Sequence, residues 1–426
     1  MAGFRWKKSA EVLEKEIDQD KRLIDAVNEG DIDLVEYLLK GGVSADALEY
    51  NRSLFYASKN YLTPIQFAVT KDSSEIVEIL VEYEANVNAK DRFDVTAVHI
   101  AAENGSLKCL QVLLEAGADT NIATKYSKYG SYTATPHAGG TTALQLAAMN
   151  NHVSCVKELI YYGADYNAVD EFGRTSLYIA AQKGFADCVH AHLDNAIRTD
   201  ILSIPVKETN ETPLHESVRH GNLSCVSSLL KHGSDCNYKN SAGLSALHLS
   251  LIADKKFSME IVRELITQGY NIDVNLKDRN GNTPLHYVCF TDHCTQDRRP
   301  HAAAFLIAYG ADFNITNKAG DVLLQQELRN PNGDKTIIKA ILHCAIKLPL
   351  DSLIPNLIKS GSKQYQDLQA SYQYYRSFSK YPHTLQHYCR FVIRKSLGIK
   401  RLRQVPCLPL PTTLKEYLLL DVQSFS

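Results

Sequence analysis

One four-residue phrase returns seven times along this chain, and it constrains the fold more than any other feature. It stands at Thr63-Pro64-Ile65-Gln66, Thr96-Ala97-Val98-His99, Thr142-Ala143-Leu144-Gln145, Thr175-Ser176-Leu177-Tyr178, Thr212-Pro213-Leu214-His215, Ser245-Ala246-Leu247-His248 and Thr283-Pro284-Leu285-His286. The successive offsets are 33, 46, 33, 37, 33 and 38 residues. Three are equal, and the rest exceed them as insertions would, so the chain is a repeat array rather than a set of independent domains. Thr or Ser is suited to accept a free backbone N–H as an N-cap, Pro to occupy the first helical position, and the apolar third residue to turn inward. Stop signals follow the starts: Gly117-Ala118-Asp119, Gly163-Ala164-Asp165, Gly233-Ser234-Asp235 and Gly310-Ala311-Asp312 put a glycine where a second helix ends in a left-handed turn, Gly269 is their equivalent in the unit of Ser245, and Glu84 stands at that position in the unit of Thr63. Degenerate helix pairs at Leu23–Lys40 and Leu323–Ala345 flank these seven. The expectation is an all-α solenoid of about nine helix-pair units with short finger turns between them.

Length alone would suggest about three domains. A repeat array overrules that, because each unit packs only on its neighbours and one core runs along the stack. The composition is that of a soluble protein: 45% hydrophobic, 22% charged, with a formal net charge of −2. Such a charge gives no overall attraction to nucleic acid or acidic membrane. No signal peptide is read at the start, and no apolar run approaches the ~18 residues of a membrane span. Ten cysteines without regular spacing, including Cys109, Cys155, Cys188 and Cys225 at core positions, read as reduced buried thiols of the cytoplasm, and of the nucleus too.

Enzyme chemistry is not visible. There is no Gly-x-Ser-x-Gly, His-Glu-x-x-His, phosphate loop or dinucleotide fingerprint. His99, His215, His248 and His286 share one place in the repeat, which marks a structural tie between adjacent units. His286, Cys289, His293, Cys294 and His301 form the densest group of metal-type ligands, but their spacing matches no usual zinc pattern. No metal and no cofactor is expected.

The C-terminal residues have a different character. Leu385 and Cys389 lie four apart on one helical face, and Val392, Ile393 and Leu397 extend that apolar stripe. So short a segment cannot bury the stripe alone, and it needs a partner surface. Leu408-Pro409-Leu410-Pro411 follows, just before a further helix ending near Leu419. Nine Lys or Arg and no Asp or Glu lie between Arg376 and Lys415. That charge admits a nucleic-acid reading, but the apolar stripe in the same helix and the lack of an aromatic platform favour a docking helix with a solvated basic face.

Leu-x-x-x-Cys followed by Leu-Pro-Leu-Pro resembles the SOCS box, and the array before it resembles ankyrin repeats. Together the chain resembles the ankyrin-repeat and SOCS-box family, over nearly its whole length. The resemblance implies a non-catalytic substrate receptor of a ubiquitin ligase. In it, Leu385, Cys389, Val392, Ile393 and Leu397 would engage elongin C, with elongin B beside it. Leu408, Pro409, Leu410 and Pro411 would engage cullin five with its RING partner. The alternative is a scaffold that binds or sequesters its partner without degradation. The expected divisions are a helical extension over 1–20, the array over 21–345, a connecting helical segment over 346–380 and the box over 381–426.

A target protein is expected on the fingers and first helices. The 13-residue insertion ahead of Thr142 carries Tyr126, Tyr129 and Tyr132 among lysines and glycines. Aromatic residues on a polar loop are typical interface anchors. Phe93 and Phe172 occupy equivalent finger tips and are the other contact candidates.

Overall fold

The computed structural model describes residues 10–47, 62–125, 138–195, 199–252, 259–290, 299–313 and 315–320. Tyr126, Tyr129 and Tyr132, the expected last unit at 323–345, and all the elongin- and cullin-contact candidates lie outside the described residues. The chain divides into two compact units after Glu208.

In the first unit the helices come in pairs: α1 (Ala10–Glu29) with α2 (Ile32–Lys40), α3 (Pro64–Thr70) with α4 (Ser74–Glu82), α5 (Ala97–Asn104) with α6 (Leu107–Glu115), α7 (Ala143–Met149) with α8 (Val153–Tyr161), and α9 (Ser176–Lys183) with α10 (Ala186–Asn195). A 3-10 turn over Thr199–Ser203 follows. The second unit holds α11 (Pro213–Arg219) with α12 (Leu223–Lys231), α13 (Ala246–Ile252) with α14 (Met259–Gln268), and α15 (Pro284–Phe290) with α16 (Arg299–Ala308). No strand occurs among the described residues. α1 runs unbroken through residue 20, so the expected N-terminal extension and the first repeat helix share one element.

Most of these helices have only seven to ten residues, too short to persist alone. Packing on the neighbouring repeat holds them. Within the first unit, α3, α5, α7 and α9 pack in succession, as do α4, α6, α8 and α10; α11, α13 and α15 do the same in the second. The inward residue of each start phrase, from Ile65 and Leu144 through Leu214 and Leu247, is buried. Cys109, Cys155, Cys188 and Cys225 are buried free thiols on the second helices. Burial raises each, Cys109 to about 12 and the other three to about 11, which leaves them protonated and unreactive.

The left-handed turn after the second helix is where the expected register is most exposed to test. Gly117, Gly163, Gly233 and Gly310 all have positive φ, and so does Glu84 at +61°, in a repeat without a glycine there. The unit ending at Gly269 departs from expectation: Gly269 is not left-handed, and Asn271, at φ +54°, takes the turn instead. The lengthened α14 and its closing turn shift the reversal two residues on. A Cβ on Gly163 would meet nothing within 4 Å, so its only penalty is conformational. Gly163→Glu should destabilise by about 1 to 2 kcal/mol, whereas Glu84→Gly should be neutral to mildly stabilising because added freedom in the unfolded chain offsets part of the relieved strain. Urea melts of the two variants check this; a Gly163→Glu protein as stable as wild type would contradict the turn's role.

Candidate protein-binding face

Four of the fingers are closed by a buried Asp or Asn. Asp91 Oδ1 accepts the N–H groups of Phe93 and Val95, both at 2.8 Å. Asp170 accepts those of Phe172 and Arg174 at 3.0 and 2.8 Å. Asn240 binds the N–H groups of Ala242 and Leu244, and Asp278 those of Asn280 and Asn282. Such side-chain-to-backbone bonds stand in for a ladder where the chain must turn sharply.

Successive fingers then join through their main chains. Lys125 N–H donates to Phe93 O at 2.7 Å, Glu171 N–H to Gly139 O at 2.8 Å, Lys207 N–H to Phe172 O at 3.3 Å, and Lys318 N–H to Asn280 O at 2.9 Å. The approach is close enough that a Cβ at Gly243 would lie 2.7 Å from the Arg279 nitrogen, at a φ of +80° that already favours glycine.

A second tie comes from the fourth residue of the start phrase. Thr63, Thr96, Thr142 and Thr212 close capping boxes with Gln66, His99, Gln145 and His215. Ser245 and Thr283 donate their N–H to Nδ1 of His248 and His286 in the same way. Because Nδ1 accepts, the ring proton sits on Nε2. That proton reaches the next repeat: His215 Nε2 to Leu244 O and His248 Nε2 to Asn282 O, both at 3.2 Å. Gln66 and Gln145 do the same with their amide NH₂, to Val95 O at 2.9 Å and Arg174 O at 2.7 Å. The acceptor is always the residue before the next cap. The expected tie between units is therefore present at His215 and His248, and glutamine performs it too.

A third tie, at the finger bases, was not legible in the start and stop signals alone. Asp119, Asp165 and Asp235 each accept the N–H of the Asn two residues on, and an Asn at that place accepts the N–H of the next repeat's Asp. Asp119 N–H donates to Asn88, Asp165 to Asn121, Asp273 to Asn237 and Asp312 to Asn275, at 2.7 to 2.8 Å. In the first unit the series stops at Asn167, whose Oδ1 is buried without a partner. The repeat of α9 and α10 lacks a Gly-Ala-Asp ending and turns through the 3-10 segment instead. His192, buried between these helices, donates from Nδ1 to Cys188 O at 2.8 Å and holds Ser176 Oγ at 2.8 Å from Nε2.

With the backbone so occupied, the tips are free to present side chains. Phe172 is 44% exposed, and the Arg174 guanidinium lies 5.0 Å from its ring centre while closing an ion pair with Asp170. Phe93 is half-buried, with Arg92 at 4.4 Å over its ring. Gly139 stands at the matching tip between them. Stacked guanidinium groups keep both rings oriented. Tyr37, Tyr161 and Tyr270 are more exposed still, at 71%, 82% and 67%; all lie at second-helix or turn positions that carry no motif, so nothing in the repeat phrase singles them out. His286 gives Nδ1 to its cap, and His293 and Cys294 of the densest ligand group lie outside the described residues.

Paired antiparallel helices with left-handed caps and hydrogen-bonded fingers define an ankyrin-repeat protein. The family model for ankyrin repeats matches residues 23–124, 129–202, 144–240 and 214–317, and the SOCS box model matches 381–419. The chain belongs to the ankyrin-repeat and SOCS-box family. It is 26% identical over 370 residues to human "Ankyrin repeat and SOCS box protein 6", covering 84% of this chain and 73% of that protein. To mouse "Ankyrin repeat and SOCS box protein 16" it is 27% identical over 251 residues, covering 51% of this chain and 54% of that one. The chain thus spans only about half of the latter relative. The ankyrin repeat domain of Bcl-3 is similar over 57% of this chain and 97% of its own, with 26% identity and a TM-score of 0.46. No described helix is long and apolar enough to cross a membrane.

Proposed function

We propose that this protein is the substrate-recognition subunit of an elongin B/C–cullin five RING ubiquitin ligase. The observation that carries this is the order of parts: an ankyrin array followed by a SOCS box match at 381–419 that contains both C-terminal motifs. The array holds a target protein through its fingers, Phe93 and Phe172 among them, with Tyr126, Tyr129 and Tyr132 in the adjoining insertion. The helix bearing Leu385, Cys389, Val392, Ile393 and Leu397 docks on elongin C, and Leu408-Pro409-Leu410-Pro411 meets the cullin. Residues 346–380 connect array and box. The protein does no covalent chemistry. It raises the effective concentration of target beside a ubiquitin-charged enzyme and orients it, in the cytoplasm and nucleus.

The test is affinity capture followed by mass spectrometry, comparing wild type with Leu385→Ala, Cys389→Ala. Elongins should vanish from the variant while target proteins accumulate on it. Undiminished elongin C would remove the ligase reading and leave a scaffold that binds without degradation. A second variant, Leu408→Ala with Pro409→Ala, should keep elongins and lose the cullin, because the two segments meet different partners. Equal loss of both would mean that the prolines only hold the box folded.

A further inference from the structure

The finger tips of the second unit differ electrostatically from those of the first. In the first unit Lys90 is exposed, but two other tip cations are paired: Lys125 Nζ lies 3.1 Å from Asp94 Oδ2, and Arg174 Nη2 lies 2.7 Å from Asp170 Oδ2. In the second, Lys239, Lys277, Arg279 and Lys318 are all exposed, and none makes an ion pair with a described residue. The single carboxylate among the described residues of these tips, Asp278, is buried and turned inward. Its Oδ1 accepts the Asn280 and Asn282 N–H groups, and its Oδ2 accepts the Tyr287 hydroxyl at 2.6 Å.

These cations are also aligned. Arg279 N–H reaches Ala242 O at 3.5 Å and Lys318 N–H reaches Asn280 O at 2.9 Å, so consecutive tips share one register. Lys239 Nζ donates to Lys277 O at 2.8 Å, and Lys277 Nζ to Thr316 O at 3.2 Å. An ammonium has three protons, so each keeps donors for a partner after giving one to the neighbouring finger. The tether removes rotamer freedom before any partner arrives, which lowers the cost of binding. Asp235, Asp273 and Asp312 are exposed carboxylates at the finger bases, and the side chains of Asp235 and Asp273 are bound to the N–H groups of Asn237 and Asn275. Tips are cationic and bases anionic.

We propose that the finger row formed by Lys239, Lys277, Arg279 and Lys318 is a docking strip for an extended acidic segment of a partner protein. It is independent of the C-terminal box, and it assigns the second unit a partner chemistry that the aromatic tips of the first do not share. The experiment uses the full chain and a fluorescein-labelled peptide of alternating Glu and Ser, read by anisotropy. The finger variant carries Lys239→Gln, Lys277→Gln, Arg279→Gln and Lys318→Gln, since glutamine can still donate to a neighbouring carbonyl. The control variant carries Lys183→Gln and Lys231→Gln, exposed lysines away from the fingers. Exposed charge pairs are worth up to a few-fold each, so the finger variant should bind about tenfold more weakly while the control matches wild type. Raising salt to about 0.5 M should erase the difference. The basic residues between 376 and 415 are common to all three proteins and cancel in the comparison. Equal binding by finger and control variants overturns the proposal. So does loss of a labelled oligothymidine with the peptide unaffected, which would assign the strip to nucleic acid. Elongin C capture by the finger variant should be unchanged, so failure here is separable from failure of the ligase reading.

Discussion

Acidification from pH 7 to about pH 4.5 should markedly destabilise each of the two units. His192 and His248 are buried, and burial lowers each from 6.5 to about 4; His215 is lowered for the same reason. The native fold therefore holds neutral rings whose folded pKa lies below the unfolded one. Their contribution is complete above about pH 6.5 and is lost as the pH falls toward 4, because the unfolded chain takes up protons that the native one refuses. At about 1.4 kcal/mol per pKa unit, His192 and His248 each account for roughly 3 kcal/mol once fully protonated, a large share of a domain's stability. Urea melts at several pH values measure the slope. The repeats supply their own control. Gln66 and Gln145 occupy the position of His248 and make the same bond to the next finger, so His248→Gln should retain neutral-pH stability and flatten the acid dependence of the second unit. An unchanged pH slope in that variant would show that His248 is not a source of it.

Arg219→Ala is expected to cost about 1 to 3 kcal/mol, because it leaves a buried carboxylate unpaired while the guanidinium itself is 46% exposed and partly screened by solvent. Glu211 and Glu216 are both 4% exposed. Arg219 pairs with Glu211 through Nη2, and its Nε lies 3.6 Å from Glu216 Oε2. Asn240 Nδ2 also donates to Glu211 Oε1, at 3.0 Å, which links the pair to the turn-closing residue of the next finger. Without the guanidinium, Glu211 is left buried on a single amide bond, close to a second carboxylate. Glu211→Gln added to Arg219→Ala should recover much of the loss, since a neutral amide needs no counter-charge. A double-mutant cycle in urea reads this as coupling. Additive losses would mean that Arg219 acts through packing of its stem and not through charge.

The register of the array was legible because its signals depend on backbone chemistry. A capping hydroxyl and a left-handed turn admit few residue types, so Thr142 and Gly163 report their own conformations. Glu84 shows the strength of that reading: a residue poorly suited to positive φ was placed there by register alone, and it is there. Gly269 shows the limit, because added residues let the turn slide to Asn271. The turn-closing Asp91, Asp170, Asn240 and Asp278 each stand five residues before the next cap, a period as regular as the start phrase. A polar residue before a turn reads equally as a solvated one, and only burial tells them apart. His192 escaped for the opposite reason, since its partners Ser176 and Cys188 come from a packing arrangement that no local phrase encodes. The site residues of the box, Leu385 through Pro411, rest on motif and family, and their roles belong to the proposal.

The finger joints consist of carbonyls, amide N–H groups and side chains that point inward. Nothing at the tips themselves, at Phe93, Gly139, Phe172, Ala242 or Asn280, is needed to hold one finger to the next except the main chain. Selection can therefore rewrite the outward residues one at a time without renegotiating the scaffold beneath them. In this protein that freedom has produced a stretch of arginine-backed rings and a stretch of tethered lysines on one kind of backbone. A lineage that duplicated such a chain could acquire a new clientele by drift at five surface positions, with the heritable cost falling on recognition and not on folding.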